Sequence, residues 1–289
     1  VNYKIIKNSE INKADWDLHI DQCFNAKVFA KSWFLDIVSP NWKACIVGDN
    51  EAFIPITAHL KFGFIPVWYQ PLLCQQLGVF AKSSSNNYLT LLQKIKRNFF
   101  RANIHLNDGF LYPKNIEKRA NYVLDLNHNY DTLRANYKKD ARKNLKKPLP
   151  ITIVEESIDV AQMNEVIEIY KSQYGDKQNI SKKLAETIKK LMLTAAKNNA
   201  AEAYSIINSE GNILFKGVIL KDAKRIYYSF AAPTDLGRAV NITHYFIDYL
   251  IKKYAGSTLL LDFEGSSIPS VAQFYAKWGS EIKAFGVLK

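Results

Sequence analysis

Residues 225–279 read RIYYSFAAPTDLGRAVNITHYFIDYLIKKYAGSTLLLDFEGSSIPSVAQFYAKWG, and this stretch decides the fold. Its first part, Arg225–Ala231, is rich in β-branched and aromatic residues and is bounded by Pro233, which predicts a strand. Ala239–Tyr254 then places apolar side chains at helical spacing, and Gly256 supplies a C-terminal stop. The pattern predicts a strand, a turn and a helix in succession.

A second strand and a second helix complete the stretch. Thr258–Asp262 is an almost continuous apolar run, as expected of a buried strand. Ser267–Gly279 carries Phe274 and Trp278 at helical spacing. Where a strand turns into a helix, free N–H groups and the positive end of the helix dipole converge. The turn Thr234–Ala239 is therefore a candidate anion site.

Composition and charge limit the class of protein. The chain has 289 residues, 48% of them hydrophobic, and a mean hydropathy of −0.18. At roughly 150 residues per domain, this length predicts two globular domains. The net charge of +12 and the pI of about 9.4 favour an anionic partner.

The sequence also indicates where the protein resides. No apolar run approaches the ~20 residues that span a bilayer, and the N-terminal residues VNYKIIKNSE lack the pattern of a signal peptide. Cys23, Cys45 and Cys74 lie far apart without metal-ligand spacing. We therefore expect a cytoplasmic protein with reduced, buried thiols, no membrane span and no metal site. The oligomeric state stays open.

Both halves of the chain follow one plan of strand, two helices, three-stranded meander, helix and strand. We predict an α+β fold of two domains, residues 1–128 and 129–289, with central mixed, mostly antiparallel sheets. Between the two plans, Asp131–Lys147 is predicted to form one long basic helix, and Glu281–Val287 to form the last strand.

This element order and three segments resemble the GNAT acyl-CoA N-acyltransferase fold in its tandem, Fem-type (FemAB-like) form. The segments are Tyr137–Lys147 (YKKDARKNLKK), Arg225–Ala231, and the string Asp262-Phe263-Glu264-Gly265-Ser266 followed by Phe274, Tyr275 and Gly279. The likeness covers Asp131–Phe285. Over the first half it rests on element order and on Trp16 and Phe29.

Fem-type transferases are bacterial and join aminoacyl groups from tRNA to cell-wall precursors. The resemblance implies two GNAT-like domains, a degenerate first one and a second one that carries the donor site. It also implies an acyltransferase of class EC 2.3, with acyl-CoA or aminoacyl-tRNA as donor and a small-molecule or peptide amine as acceptor.

The family's phosphate motif, R/Q-x-x-G-x-G/A, is matched at Gly237 and Ala239, whereas Thr234 stands where Arg or Gln is expected. The resemblance implies that the donor contacts the turn and the preceding strand. The predicted donor-binding residues are Ser229, Leu236, Gly237, Arg238, Ala239 and Val240. The alternative is an ordinary strand-to-helix turn in which glycine supplies a positive φ.

Three residues are candidates for proton transfer. Asp262 and Glu264 follow a buried strand at the edge where open sheets place ligands, so either is a candidate general base. The alternative is that one of them caps the next helix. By resemblance, Tyr275 would protonate a leaving thiolate or 3′-oxygen, although it could equally pack in the core. Alternation does not decide whether Tyr228 or Ser229 faces the cleft.

The basic helix carries five candidate polyanion-binding residues, which are Lys138, Lys139, Arg142, Lys143 and Lys146. They could bind tRNA phosphates or an acidic cell-wall precursor, or they could form a solvated face. Two functions therefore remain open: an acyl or aminoacyl transferase, and a non-catalytic GNAT-fold protein that binds an anionic metabolite or a partner.

Overall fold

The structure is a computed structural model that describes residues 2–84, 87–110, 112–113, 115–178, 180–265 and 268–289, without the side chains of 87 and 175–178. Ser266 and Ser267, which close the DFEGS string and open the last predicted helix, lie outside the described residues. The strands are β1 (Tyr3–Lys7), β2 (Lys43–Val47), β3 (Ala52–Ile56), β4 (Ala58–Lys61), β5 (Ile65–Tyr69), β6 (Phe80–Ala81), β7 (Arg101–His105), β8 (Glu117–Arg119), β9 (Tyr122–Asp125), β10 (Ile151–Glu156), β11 (Ala201–Asn208), β12 (Ile213–Lys221), β13 (Arg225–Pro233), β14 (Leu260–Asp262), β15 (Glu281–Ile282) and β16 (Phe285–Leu288).

The helices lie between groups of these strands. They are α1 (Lys13–Gln22), α2 (Ser32–Val38), α3 (Asn87–Lys96), α4 (Tyr130–Ala135), α5 (Lys139–Leu145), α6 (Val160–Gln178), α7 (Lys182–Lys197), α8 (Asp235–Ala239), α9 (Ile242–Tyr254) and α10 (Pro269–Tyr275).

The chain forms two compact units, residues 1–120 with 283–289, and residues 121–282. These bounds differ from the predicted division at 128/129, because each half of the sequence gives one strand to the other half's sheet. Strand β9 lies between β14 and β15 in the second unit, and β16 lies between β7 and β8 in the first.

The first unit contains two sheets, ordered β1-β2-β3-β6 and β4-β5-β7-β16-β8. Its core is aromatic: the Trp16 ring lies 4.9 Å from the Trp42 ring and 5.6 Å from the Phe53 ring. A buried ion pair joins Lys27 to Asp108 at 2.9 Å. All three cysteines of the chain are buried in this unit, as expected.

The second unit contains one seven-stranded sheet, ordered β10-β11-β12-β13-β14-β9-β15. In its described part, β13 and β14 are the one parallel pair, so the mixed, mostly antiparallel sheet is confirmed. Helix α9 covers the sheet with buried Phe246, Ile247, Leu250 and Ile251. It begins at Ile242, later than predicted, because the chain first forms the separate short helix α8.

Strands β13 and β14 separate part of the way along the sheet. Their last parallel pair is Tyr227 with Asp262, where β14 ends, and β13 continues to Pro233. A β-bulge lies just past that pair, because Tyr228 and Ser229 oppose the single residue Ile219 of β12. Such a bulge bends its strand and leaves one residue outside the regular ladder. The sheet therefore opens at the end of β14.

Two segments predicted as single elements are divided. At Lys138 the backbone is extended, and its N–H donates to the Lys277 carbonyl at 2.9 Å instead of to a carbonyl four residues earlier. The single helix Asp131–Lys147 is therefore wrong, and α4 and α5 replace it. The single strand Glu281–Val287 is also wrong, because β15 pairs with β9 whereas β16 pairs with β7 and β8.

Gly237 is required by close packing. It lies in α8, its φ is not positive, and a Cβ there would overlap the Leu214 carbonyl oxygen and lie 2.8 Å from Cγ2 of Ile242. The expectation that glycine supplies a positive φ in this turn is wrong. Backbone contact with β12 excludes any side chain.

We expect Gly237→Ala to lower the free energy of unfolding by at least about 2 kcal/mol, because an over-packed site must move backbone as well as side chains. Urea unfolding followed by circular dichroism measures this loss. Leu236→Ala is the matched control, since Leu236 is exposed in the same turn. Equal stability of the Gly237→Ala variant and the native chain would contradict the packing argument.

Candidate active-site cleft

A cavity of about 500 Å³ lies in the second unit beside the part of β13 that extends beyond β14. Strand β13 contributes Tyr228 and Pro233 to its wall. The rest of the wall consists of Tyr174 from α6, Arg238 from α8, the start of α9 (Asn241, Thr243 and His244), Ile268, and α10 (Ser270, Val271, Phe274 and Tyr275). The predicted cleft at the open strand ends is therefore present.

Stacked aromatic rings form one wall of this cleft. The Tyr275 ring stacks on Phe263 with centroids 4.9 Å apart, and it meets the Tyr228 ring edge-on at 6.4 Å. Burial raises the pKa of both tyrosines well above the usual value of a phenol, and the Glu264 carboxylate adds to the effect at Tyr275. Both phenols are therefore protonated at neutral pH and can donate hydrogen bonds or a proton. The side chain that lines the cleft at the bulge is Tyr228.

Glu264 and Ser229 each lie two residues past the last β13–β14 pair, which is Tyr227 with Asp262. The Ser229 hydroxyl donates to Oε1 of Glu264 at 2.8 Å. Burial raises the pKa of Glu264 to about 8, the hydroxyl bond opposes this shift, and the negative Asp262 adds to it. A carboxyl group with this pKa exchanges its proton near neutral pH, as a general base must.

The backbone at Glu264 is left-handed, with φ of 57°. A non-glycine residue in that region costs of order 1 kcal/mol and persists only where its surroundings hold it. The Glu264 N–H donates to Oδ1 of Asp262 at 2.9 Å, which holds the turn. This strained turn directs the side chain of Glu264 back to Ser229.

Asp262 is fully buried and bound on several sides. Its Oδ2 accepts from the Arg225 guanidinium at 2.7 Å and from the Asn121 amide at 3.2 Å. Because its oxygens are occupied by these groups and by the Glu264 N–H, the geometry favours Glu264 over Asp262 as the base. Asp262 instead positions Glu264.

In the predicted phosphate-binding turn, two backbone N–H groups already donate hydrogen bonds to Thr234 of the same turn. Oγ1 of Thr234 accepts from the Gly237 N–H at 3.2 Å, and the Thr234 carbonyl accepts from the Arg238 N–H at 2.8 Å. Threonine is a favoured N-cap, so its presence at 234 was a signal for this arrangement. Leu236, Ala239 and Val240 of the turn are exposed.

The Arg238 guanidinium is also engaged. Its Nε donates to Oε1 of Gln173 at 2.9 Å, and the group lies 6.0 Å from the centre of the Tyr174 ring. Arg238 thus contributes a cation to the cleft rim while remaining tied to α6.

His244 lines the cleft, although it was not predicted from the sequence as a site residue. Burial lowers its pKa, so the imidazole is neutral at pH 7. Its Nδ1 lies 3.3 Å from the Asn241 carbonyl and its Nε2 lies 3.4 Å from the Asn144 amide, while its ring meets Phe274 edge-on. No sequence motif marks it, because its partners come from three separate elements.

The five predicted polyanion-binding residues are exposed on α5 and beside its ends. Within the described residues, no ion pair involves Lys138, Lys139, Arg142, Lys143 or Lys146. Helix α5 is fixed to α9, since the Tyr245 hydroxyl donates to the Asn144 carbonyl at 3.0 Å. The five cations therefore lie on a fixed, solvated surface of the second unit.

The described residues contain no cluster of three or more His, Cys, Asp or Glu residues able to hold a metal ion. Their helices include none with the length and apolarity needed to cross a bilayer.

Comparison with known proteins defines the fold class. No protein-family model matches the sequence, and no curated protein matches it. The structure, however, has a mixed α/β, GNAT-like fold similar to that of FemX and other solved structures.

FemX is one of these solved structures, with a TM-score of 0.71 at 12% identity over 99% of this chain and 96% of FemX. L-PGS from Bacillus licheniformis gives 0.53 at 10% identity over 96% and 91% of the two chains. N-myristoyltransferase from Saccharomyces cerevisiae, with bound myristoyl-CoA, gives 0.50 at 12% identity over 99% and 82%. At these identities the likeness establishes the fold alone.

We expect Asp262→Asn to lower the free energy of unfolding by about 3–5 kcal/mol, because it removes one charge of a buried ion pair and leaves the desolvation cost of the Arg225 guanidinium less well offset. Urea denaturation provides the measurement. The control is Glu186→Gln, which removes the surface ion pair with Lys189 at 2.9 Å and should cost less than about 1 kcal/mol. Similar small losses in both variants would contradict the positioning role of the Arg225–Asp262 pair.

If the cations of α5 bind RNA, the affinity should fall steeply with salt, each neutralised phosphate contributing roughly −0.7 to −0.9 to the log–log slope. Replacing Lys139, Lys143 and Lys146 by Gln should flatten that slope and leave the melting temperature nearly unchanged. Filter binding of tRNA over a salt series measures the slope.

The control replaces the exposed Lys182, Lys183 and Lys190 of α7 by Gln, which removes the same charge elsewhere. An unchanged slope in the α5 variant, or no binding at about 0.15 M salt, where the Debye length is ~8 Å, would identify the α5 surface as merely solvated.

Proposed function

We propose that this chain is an acyl or aminoacyl transferase that joins a donor's carbonyl carbon to an amine in the cleft of the second unit. The observation that carries the proposal is the Glu264–Ser229 pair, which places a carboxyl group with a pKa of about 8 at the open end of β13 and β14. The fold shared with FemX supports the same class of reaction.

The proposed reaction needs no covalent enzyme intermediate. Glu264 accepts a proton from the acceptor's ammonium group, and the free amine attacks the carbonyl carbon of the donor ester or thioester. An amide bond forms, the carbon–oxygen or carbon–sulfur bond breaks, and the leaving group takes a proton from the Tyr275 hydroxyl. The second ammonium proton returns the phenol to its neutral form.

Positioning and charge stabilisation provide the rest of the catalysis. The bulge at Tyr228 and Ser229 interrupts the ladder to β12. In the proposed reaction, a backbone N–H group at this bulge stabilises the oxyanion. The rings of Tyr228 and Tyr275, backed by buried Phe263, make this side of the cleft apolar, and a low local dielectric strengthens these interactions.

Of the two donor classes, aminoacyl-tRNA is the one that we propose. The amides of Gly237 and Arg238, on which a coenzyme A pyrophosphate would depend, already donate to Thr234. The exposed cations of α5 offer a surface for a longer polyanion. The bound myristoyl-CoA of N-myristoyltransferase keeps acyl-CoA as the second candidate. The acceptor class is a small-molecule or peptide amine.

We expect Glu264→Gln to lower kcat by about 10²–10⁴-fold, the usual contribution of a general base. In the native chain kcat/KM should rise with pH and level off above about 8, where Glu264 is ionised. In the variant that rise should be lost. Single-turnover assays with aminoacyl-tRNA and with acyl-CoA, each with a panel of amines, measure both effects.

Glu210→Gln, the same change at the exposed β11–β12 turn, serves as the control and should leave the rate unchanged. A native rate for Glu264→Gln would contradict the assignment of the base. Donor binding without turnover by the native chain would instead favour the non-catalytic, metabolite-binding alternative.

The pKa of Glu264 also has a consequence for stability. Because the folded-state pKa is raised, the folded chain holds a proton that the unfolded chain releases near its ordinary pKa of about 4.3. This contribution to stability is complete below that value and is lost as the pH rises through about 8. The melting temperature of the native chain should therefore fall relative to Glu264→Gln between pH 5 and 9, which tests the pKa independently of activity.

A further inference from the structure

The hairpin of β4 and β5 in the first unit ends in exposed apolar side chains. The exposed fractions are 59% for Leu60, 75% for Phe62 and 73% for Phe64. Phe100, just before β7, is 80% exposed. We call these four residues the apolar tip. Isolated exposed apolar residues are ordinary, but a contiguous group of them marks an interaction surface.

The backbone shows that these residues are neighbours. Leu60 pairs with Pro66 in the β4–β5 ladder, and the Phe100 N–H donates to the Pro66 carbonyl at 3.0 Å. Leu60, Pro66 and Phe100 therefore form a row across three adjacent chain segments. Phe62 and Phe64 flank Gly63 in the turn just beyond that row. Gly63 has φ of 82°, which lets the chain reverse tightly and present both rings.

The stretch of sequence that contains the tip carries one sign of charge. No aspartate or glutamate occurs from Ala52 to Asn107. Lys61 adjoins Leu60 and Phe62 in the chain, Arg101 adjoins Phe100, and Arg97 lies three residues before Phe100; all three are exposed, and in the described part of the chain they form no ion pair. The Lys61 ammonium lies 5.1 Å from the centre of the Phe62 ring. A cation and an apolar ring are therefore neighbours at the end of the hairpin.

We propose that the apolar tip docks the protein on an anionic lipid bilayer. Phenylalanine and leucine side chains enter the boundary between headgroups and acyl chains, while Lys61, Arg97 and Arg101 meet lipid phosphates. Charge complementarity favours this partner, because exposed rings beside exposed cations match a surface that offers apolar chains and phosphates together. This role belongs to the first unit and goes beyond the transfer reaction.

Sedimentation with vesicles tests the proposal, using phosphatidylcholine alone and phosphatidylcholine with 30% phosphatidylglycerol. The native chain should bind the anionic vesicles, and Phe62→Ser with Phe64→Ser should weaken that binding at least about tenfold, since two rings no longer leave water. Lys61→Gln with Arg101→Gln should weaken it by about tenfold or more on anionic vesicles only, and raised salt should do the same.

Leu72→Ser provides the matched control. Leu72 is 73% exposed and lies past the opposite end of β5, so its loss should not change vesicle binding. Because all the changed side chains are exposed, the melting temperatures of the variants should match that of the native chain, which excludes misfolding as the cause of a loss.

Three results would overturn the proposal. The first is no binding of the native chain to anionic vesicles. The second is an equal loss in Leu72→Ser and in the Phe62/Phe64 variant. The third is self-association of the native chain in analytical ultracentrifugation that the Phe62/Phe64 variant abolishes, which would assign the tip to contact with a second copy.

Discussion

The buried ion pair of Arg225 and Asp262 fixes the geometry on which the candidate site depends. It joins Arg225 at the start of β13 to Asp262 at the end of β14, in a core where Asp262 is fully buried and Arg225 nearly so. Desolvating both charges is costly, so such a pair persists only when further hydrogen bonds complete it. Asn121 and the Glu264 N–H are two such partners of Asp262. The second of these bonds holds Glu264 in its strained turn and so sets the carboxyl group against Ser229.

The end of β14 also positions the aromatic wall of the cleft. Phe263 lies between the two acidic residues and is fully buried, which leaves its ring available to support Tyr275. Tyr228, at the bulge, completes the wall from the other strand. Successive side chains at the end of β14 therefore have different roles. Asp262 forms the ion pair, Phe263 packs in the core, and Glu264 provides the titratable group.

Local signals predicted much of this arrangement. The apolar run before Asp262 was sufficient to place Glu264 just past the end of a buried strand, and the helical spacing of Phe274 and Trp278 was sufficient to place Tyr275 on a helix, where it lines the cleft. What failed depended on partners distant in sequence. The break at Lys138 arises from a carbonyl at 277, and the packing of Gly237 arises from a carbonyl at 214. The spacing of apolar residues cannot predict such contacts. The alternation of side chains along β13 also could not show that a bulge places Tyr228 in the cleft and lets Ser229 bond to Glu264.

The exchange of β9 and β16 has a consequence for how the chain is made. In the first unit, the place between β7 and β8 is filled by residues 285–288, whereas every other strand of that unit lies before residue 120. Chains are synthesised at about 5–20 residues per second, so the nascent first unit waits roughly 10–30 s with two unpaired strand edges. Such edges are templates for wrong pairing. We therefore expect the yield of folded protein to depend on how fast the second half is translated.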